Sequence, residues 1–386
     1  MNPVPGPRAR FPGLDSLRFL AAFFVVLGHI PLNQESVGLP HPAWGAFFYR
    51  GSPAVSFFFS LSGFLITYLL LDEQERTGTI GVRKFYLRRV CRIWPLYFAV
   101  VFAGLFVYNA LLPRVGIPYR IGYSLPLALI LYGVLLPNLM NSLYVVGGIL
   151  NPLWSIGVEE QFYLAWAPAV KRVRRHLPLL CWTVLAVSFA LFCLSRLDVF
   201  GAQRAKGFVG QLRFHYMAAG ALCAYALRRH REAFLRLAPF ASRALQIVLF
   251  LLLLDYYLAT IIHWGWLGDE VLQLVLYPWL IVNVAANPRN VLRLKNRAFE
   301  YLGTISYGIY MLHMFAVYAT SAAFRAAHGD RLPLALFLVA YYGTAFGLTF
   351  LFAHLSYRLF ELPFLRLKDR RLAPSVAVPA SLAAEA

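Results

Sequence analysis

The stretch 14–32 reads LDSLRFLAAFFVVLGHIPL, and it decides the fold because it is long and apolar enough to cross a lipid bilayer as a helix. Crossing the hydrocarbon core takes about 20 residues in helical form. Three ionisable side chains interrupt the run: Asp15, Arg18 and His29. Because ionisable groups are costly inside a membrane, each of them is a candidate functional residue.

Similar apolar runs recur along most of the chain, and the composition agrees with them. Of the 386 residues, 60% are hydrophobic and 14% are charged, whereas a soluble domain carries about 25% charged residues. Lipid offers no hydrogen-bond partners to the backbone, so spanning segments of this length form helices. The sequence therefore predicts an all-α fold, a polytopic transmembrane helix bundle. The predicted spans are 14–32, 53–71, 93–112, 153–170, 177–195, 208–227, 243–262, 269–286, 299–321 and 333–360.

The net charge of +19 is concentrated in short basic clusters between the apolar runs. Basic residues in this arrangement mark cytoplasmic loops, and they argue against a nucleic-acid-binding protein. All the clusters fall on one side only if the apolar segment 124–140, which contains Pro126 and Pro137, does not fully cross the membrane. We therefore expect about ten spans, a re-entrant segment near 124–140 and both termini in the cytoplasm. If the protein is bacterial, the membrane is the inner one.

The chain is predicted to form one unit. We expect a single integral-membrane domain over residues 1–371 and a disordered tail over 372–386, which is rich in Ala, Pro and Ser. The cysteines show neither a CxxC pair nor metal-ligand spacing, so no metal site is expected. They are Cys91, Cys181, Cys193 and Cys223.

The first span places Arg18 and His29 on one helix face, about 16 Å apart along the axis. A long phosphate-bearing donor could be held at Arg18 and react near His29. Histidine changes its charge near neutral pH, which suits general-base work on a hydroxyl group. The alternative is that His29 forms a hydrogen bond that holds two helices together.

A second group of candidates lies in FYLRRVCRIWPLY, residues 85–97. Arg89 and Arg92 share a helix face, and paired guanidinium groups bind phosphates well because each offers a planar fork of donors. The alternative is that they follow from membrane topology and contact lipid headgroups.

A third group lies in NPLWSIGVEEQFYLAWAP, residues 151–168. Glu159 and Glu160 interrupt its apolar run and point in different directions, about 100° apart. One of them, with Glu160 favoured, is expected to hold the His29 imidazole in the right tautomer. The alternative for either glutamate is a structural ion pair. Residues expected to contact a substrate are Tyr163, Arg213, Tyr310 and His313.

Six segments together resemble acyltransferase family 3, the integral-membrane polysaccharide O-acyltransferases. They occur in order and cover nearly the whole chain, which makes a chance match improbable. The segments are GLDSLRFLAAFFVVLGH (13–29), VSFFFSLSGFLIT (55–67), FYLRRVCRIWPLY (85–97), LWSIGVEEQFYL (153–164), ISYGIYMLH (305–313) and YRLFELPFLRL (357–367).

The resemblance implies an integral-membrane acyltransferase domain and a role for each candidate group. Arg18 and His29 fit the arginine and catalytic histidine of the family's first helix. Arg89 and Arg92 fit its donor-binding arginine pair, and Glu159 and Glu160 fit its glutamate pair. The implied donor is a cytoplasmic acyl-CoA, most simply acetyl-CoA, and the implied acceptor is a carbohydrate or glycolipid hydroxyl. Ser16 departs from the family pattern, where Gly is common, without disturbing a candidate group.

A transporter is the competing interpretation, either a proton-coupled exporter or a flippase for a sugar-lipid substrate. Buried His, Glu and Arg would serve it equally well. The two halves of the chain do not echo each other, however, and inverted repeats are common in secondary transporters. The sequence therefore favours the enzyme.

Overall fold

The structure is a computed structural model, and it describes residues 11–42, 51–116, 121–197, 199–258 and 264–372. All regular structure in these ranges is helical, which confirms the predicted all-α class. Short π-helical segments continue α3 and α17, at Val107–Leu111 and Ser356–Glu361. In chain order the helices are α1 Pro12–Ser36, α2 Gly51–Thr77, α3 Val82–Phe106, α4 Leu112–Arg114, α5 Leu125–Gly133, α6 Pro137–Leu143, α7 Leu153–Arg172, α8 Leu177–Arg196, α9 Gln203–Gln211, α10 Phe214–Arg229, α11 Arg231–Leu235, α12 Ala238–Ala241, α13 Arg243–Leu258, α14 Gly265–Ala286, α15 Arg297–Thr304, α16 Ser306–Ala326, α17 Leu334–Leu355 and α18 Leu362–Leu372.

Within the described ranges, six helical stretches are long and apolar enough to cross a membrane. Helices α15 and α16, bent by 74° where they join, would form a seventh as a broken span. The predicted number of about ten spans is not confirmed. The six are Gly13–Ser36, Gly51–Thr77, Val82–Arg114, Arg174–Arg196, Gly265–Ala286 and Leu334–Lys368.

Three predicted spans account for the difference between the ten predicted and the seven found when the bent pair is counted as one. Helix α7, predicted as 153–170, is too polar because Glu159, Glu160 and Gln161 follow one another. The span predicted at 208–227 is divided into α9 and α10. The span predicted at 243–262 is described as a helix only to Leu258, because 259–263 lie outside the described residues. The tail predicted after 371 lies outside them from residue 373 onward.

The segment 124–140 is not one continuous helix. It contains α5 and the start of α6, which are joined at Leu135, a residue in the left-handed backbone region with φ of 62°. Pro137 begins α6, where a proline costs no helical hydrogen bond. The break agrees with the prediction that this segment does not form a full span, while its re-entrant course stays a prediction.

Glycines allow the helices around α2 to pack closely. Gly63 of α2 lies against the backbone of Met217, and Gly220 of α10 lies against the backbone of Ser60. A Cβ atom at either glycine would overlap the facing chain. Small residues at such crossings let helix backbones approach, which is how helices associate without a hydrophobic driving force. Helix α2 is thereby fixed between α10 and α1, and one of its faces forms part of the site described next.

Candidate active site

A polar cavity of about 110 Å³ lies among five helices: α1, α2, α3, α7 and α16. Its wall includes the three arginines predicted to bind the donor, Arg18, Arg89 and Arg92, and one of the two predicted glutamates, Glu159. Because five separate segments of sequence meet here, the cavity exists only in the folded chain. Its lining residues are Arg18, Val55, Phe58, Phe59, Ser62, Arg89, Arg92, Ile93, Ser155, Ile156, Glu159, Tyr163, Ser306, Tyr307 and Tyr310.

Three arginines give the cavity its positive charge. Arg18 is paired with Asp15, with 2.7 Å between Nη1 and Oδ1. The Arg89 guanidinium lies 5.3 Å from the centre of the Tyr163 ring. Neither Arg89 nor Arg92 forms a hydrogen bond or ion pair with any residue that the structure describes. Such a pair of guanidinium groups is suited to an anion supplied from outside the chain.

Glu159 lines the cavity and accepts two hydrogen bonds from neighbouring hydroxyl groups. Ser62 donates to its Oε1 at 2.9 Å, and Tyr163 donates to its Oε2 at 3.0 Å. Charge-assisted hydrogen bonds of this kind are about twice as strong as neutral ones, so they fix the carboxylate in place. The Glu159 carboxyl group therefore has a defined position beside Arg89 and Tyr163.

Glu160 points elsewhere. It is buried, outside the cavity wall, and Trp94 of α3 donates a hydrogen bond to its Oε2 at 2.9 Å. The predicted contact between Glu160 and His29 is therefore not present. The two glutamates point apart, as the helical geometry predicts, and Glu160 joins α7 to α3.

His29 of α1 is paired with a second histidine, His313 of α16. The centres of the two rings are 4.8 Å apart. The Nδ1 atom of His29 lies 2.8 Å from the carbonyl oxygen of Val25, and that of His313 lies 2.6 Å from the carbonyl of Tyr310. A carbonyl can only accept, so each Nδ1 carries the hydrogen. In the neutral rings both Nε2 atoms are then free to accept a proton.

His29 is not part of the cavity wall, and Tyr310 and His313 connect it to the cavity. Tyr310 lines the cavity, and its ring centre is 6.0 Å from that of His313. The Tyr310 hydroxyl is held by the carbonyl oxygen of Pro152 at 2.9 Å and by Ser155 at 2.7 Å. Tyr310 is thus a residue of the cavity wall that also neighbours the histidine pair.

The structure brings most of the predicted site residues together. The predicted residues in the cavity wall are Arg18, Arg89, Arg92, Glu159, Tyr163 and Tyr310. His29 and His313 form the neighbouring histidine pair. Among the residues that the structure describes, no three or more His, Cys, Asp or Glu side chains come together in a way that could hold a metal ion.

Arg213 does not line this cavity, and its predicted contact with a substrate stays a prediction. It lies at the start of α10, where it donates to Ser56 at 3.0 Å and lies over the Phe192 ring at 5.2 Å. The adjacent His215 makes a buried contact of 3.0 Å with Glu270. The sequence could not separate this cluster from the cavity, because helical spacing does not specify which helices are neighbours.

Three hydroxyl-bearing cavity residues that form hydrogen bonds within the protein were not predicted from the sequence: Ser62, Ser155 and Tyr307. Ser62 fixes Glu159, Ser155 contacts Tyr310, and Tyr307 donates to the backbone of Ile93 at 2.8 Å. All three lie in the motif segments. The available signal was a polar side chain within an otherwise apolar run, which is weak because serine and tyrosine are common in membrane helices.

The chain belongs to a known family. A family model described as an acyltransferase domain, acyltransferase family 3, matches residues 11–354. This confirms the resemblance inferred from the motifs, and it defines the class of protein to which the helical bundle and its arginine-lined cavity belong. No solved structure is significantly similar to the chain.

Several curated proteins are similar to this chain. A Staphylococcus aureus (strain COL) protein, named as a candidate O-acetyltransferase, is 25% identical over 92% of this chain and 57% of its own length. The peptidoglycan O-acetyltransferase OatA of Listeria monocytogenes is 25% identical over 92% of this chain and 56% of its own length. The acyltransferase MdmB of Streptomyces mycarofaciens is 29% identical over 50% of this chain and 47% of its own length. The chain thus spans little more than half the length of the first two relatives.

Proposed function

We propose that this protein transfers an acyl group, most simply acetyl, from acyl-CoA to a hydroxyl group of a carbohydrate or glycolipid at the membrane. The observation that carries the proposal is the cavity in which Arg89 and Arg92 form no hydrogen bond or ion pair with a described residue. The names of the similar proteins, O-acetyltransferases and an acyltransferase, support the same chemistry.

The donor is proposed to enter the cavity with its acyl group and pantetheine arm first. The cavity measures about 110 Å³, well below the roughly 300–1,000 Å³ of an ordinary small-molecule site. It therefore suits the pantetheine arm rather than the whole of CoA. A phosphate would lie between Arg89 and Arg92, with Arg18 adding charge, while the nucleotide stays outside. The basic clusters between the spans favour entry from the cytoplasm.

His29 is proposed as the general base. Its Nε2 accepts the proton of the acceptor hydroxyl, and the hydroxyl oxygen forms an ester bond with the thioester carbonyl carbon. The carbon–sulfur bond breaks, and CoA leaves as a thiolate that takes the proton back from the imidazolium. A neutral imidazole with a free Nε2 can take a proton from a hydroxyl group, which is the task of a general base. For this step we place the thioester next to Tyr310, because Tyr310 lines the cavity and neighbours His313, whereas His29 does not line the cavity.

The remaining residues are proposed to position the reactants. Tyr163 and Tyr310 offer hydroxyl groups at the cavity wall, Glu159 balances the arginine charge, and His313 accepts a hydrogen bond from His29 once that ring is protonated. Glu160 is proposed to act through Trp94, by keeping α3 and its arginines against α7. The acceptor would reach the histidine pair from the side opposite the donor.

The experiment incubates membranes that contain the protein with acetyl-CoA labelled in its acetyl group. The proposal predicts label covalently attached to a glycan or glycolipid fraction, in amounts that do not change when the ion gradient is collapsed. Membranes without the protein are the control. Gradient-dependent uptake of a sugar-lipid without covalent label would instead identify the competing transporter.

A further inference from the structure

A groove between α1 and α14 has an apolar part and a basic part, and neither shares a lining residue with the candidate active site. The apolar part has a volume of about 240 Å³. One of its residues, Leu254 of α13, is 53% exposed, so the groove opens sideways from the bundle. The apolar part is lined by Leu17, Leu20, Ala21, Phe24, Phe57, Phe250, Leu253, Leu254, Tyr257, Tyr277 and Leu280.

The basic part is a cavity of about 530 Å³ at the start of α1 and the end of α14. The loop that joins α14 to α15 forms most of its wall. That loop contributes Arg293 and Lys295 to the cavity. Neither cation forms an ion pair with any residue in the described part of the chain.

The two parts lie along one line. Gly13 of α1 lines the basic cavity, and Leu17 and Ala21, one and two turns further along the same face, line the apolar part. Helix α14 repeats the order with Val284 in the basic cavity and Leu280 in the apolar part. The helices touch at Gly13, where an added Cβ would lie 2.6 Å from Val284. The two cavities are therefore neighbours along the contact between α1 and α14, about one helical turn apart.

The loop that carries the two cations is firmly held. Asn283 of α14 donates to Asn290 of the loop at 3.0 Å, and Asn287 donates to Asn283 at 2.6 Å. Ser16 of α1 donates to the carbonyl oxygen of Leu294 at 3.0 Å, between the two cations in sequence. A braced backbone gives Arg293 and Lys295 fixed starting points, so less ordering entropy is lost when they bind a ligand.

We propose that this groove binds an anionic phospholipid of the bilayer, with the phosphate at Arg293 and Lys295 and one hydrocarbon chain against Leu17 and Ala21. The charge and the apolar wall match the two ends of such a lipid. The sideways opening at Leu254 lets the lipid enter from the membrane. A bilayer lipid fits better than a lipid-linked acceptor, because no candidate catalytic residue lines the groove.

The test titrates the purified protein with dioleoyl-phosphatidylglycerol and counts retained lipid by native mass spectrometry. The wild type should retain one molecule per chain, and the double variant Arg293→Gln/Lys295→Gln should bind it roughly 30-fold more weakly, since each cation near a lipid surface contributes about one kcal/mol. The matched control is Arg174→Gln/Arg175→Gln, two exposed arginines beside α8, which should bind as the wild type does.

A second pair of variants tests the apolar part. Ala21→Phe should fill the groove and lower lipid retention, whereas Ala186→Phe on the exposed face of α8 should not.

Equal lipid retention by the Arg293→Gln/Lys295→Gln and Arg174→Gln/Arg175→Gln variants would overturn the proposal. So would equal retention of dioleoyl-phosphatidylcholine, or displacement of phosphatidylglycerol by an equimolar polyprenyl phosphate. Acetyl transfer is not measured in this test, so its result is independent of the proposed enzymatic function.

Discussion

Arg88 and Arg89 are neighbours on α3 whose side chains have different surroundings. Arg88 forms an ion pair with Glu73 at 2.8 Å, while Arg89 lines the polar cavity without a hydrogen-bond partner among the described residues. A charged hydrogen bond to a ligand contributes about 1.5–3 kcal/mol. We therefore expect Arg89→Gln to raise the KM for acetyl-CoA about ten- to a hundredfold.

The change at Arg88 is the control for that prediction. Arg88→Gln removes the same charge from the same helix turn and should leave the KM for acetyl-CoA near the wild-type value. Steady-state kinetics with varied donor and saturating acceptor measure both. Equal increases in KM in the two variants would mean that general charge, and not the cavity, attracts the donor.

His29 is the residue on which the chemical step is proposed to depend. General-base catalysis contributes about 10²–10⁴-fold to a rate. His29→Ala should therefore lower kcat at least a hundredfold while the KM for the donor stays close to that of the wild type. His354→Ala changes a histidine that contacts Tyr301 outside the cavity, and it should keep nearly full activity. Comparable kcat values in the two variants would remove His29 from the mechanism.

At this scale the sequence predicted which residues gather, but not how they pair. Arg18, Arg89 and Arg92 could be assigned to one site because motif resemblance and helix spacing both indicated it. The partner of Glu160 could not be assigned, because pairing depends on which helices adjoin. Its carboxylate meets Trp94 of α3, while the Nδ1 atom of His29 is taken by the carbonyl of its own helix.

The crossing of α2 and α10 determines how whole helices pack around the site. A Cβ at Gly63 would overlap the backbone of Met217. Gly63→Ala should therefore push the helices apart and destabilise the protein by about 1–3 kcal/mol, the usual cost of overpacking. The measurement is the midpoint of thermal unfolding in detergent, which should fall.

Gly347 of α17 provides the matched control for that element. A Cβ added there would have no atom within 4 Å, and its helical setting is similar. Gly347→Ala should leave the thermal midpoint unchanged or raise it, since alanine favours helix over glycine by up to about 1 kcal/mol. A fall as large as that of Gly63→Ala would show that the crossing is not special.

The length of the apolar runs was enough to predict where helices form. It was not enough to predict where a helix is interrupted. The bounds predicted for α1, α2 and α14 lie within six residues of the observed ones. The division between α9 and α10 lies at Leu212 and Arg213, where neither proline nor glycine marks it. Arg213 is drawn to Ser56 there, a tertiary contact that local sequence patterns do not contain.

The orientation of the whole molecule in the membrane is predicted from charge. Because basic clusters lie between the predicted spans, we expect both ends of this chain in the cytoplasm. Alkaline phosphatase fused after Ala386 should therefore be inactive, and green fluorescent protein fused there should fluoresce. The converse result would reverse the orientation and move the proposed donor entrance to the other face.

The number of spans is the largest difference between expectation and structure at this scale. Apolar content alone counted α7 as a span, although Glu159, Glu160 and Gln161 make it polar. A helix can be buried among other helices without being apolar throughout. The family resemblance indicated which residues lie together, whereas apolar length did not give the number of spans.

The most direct test of the proposed function is a cryo-electron microscopy structure with a non-hydrolysable thioether analogue of acetyl-CoA. The account predicts a phosphate within about 3 Å of Arg89 or Arg92, and the acetyl end next to Tyr310, His29 and His313. An analogue bound away from these arginines, or with its acetyl end directed away from the histidine pair, would contradict it.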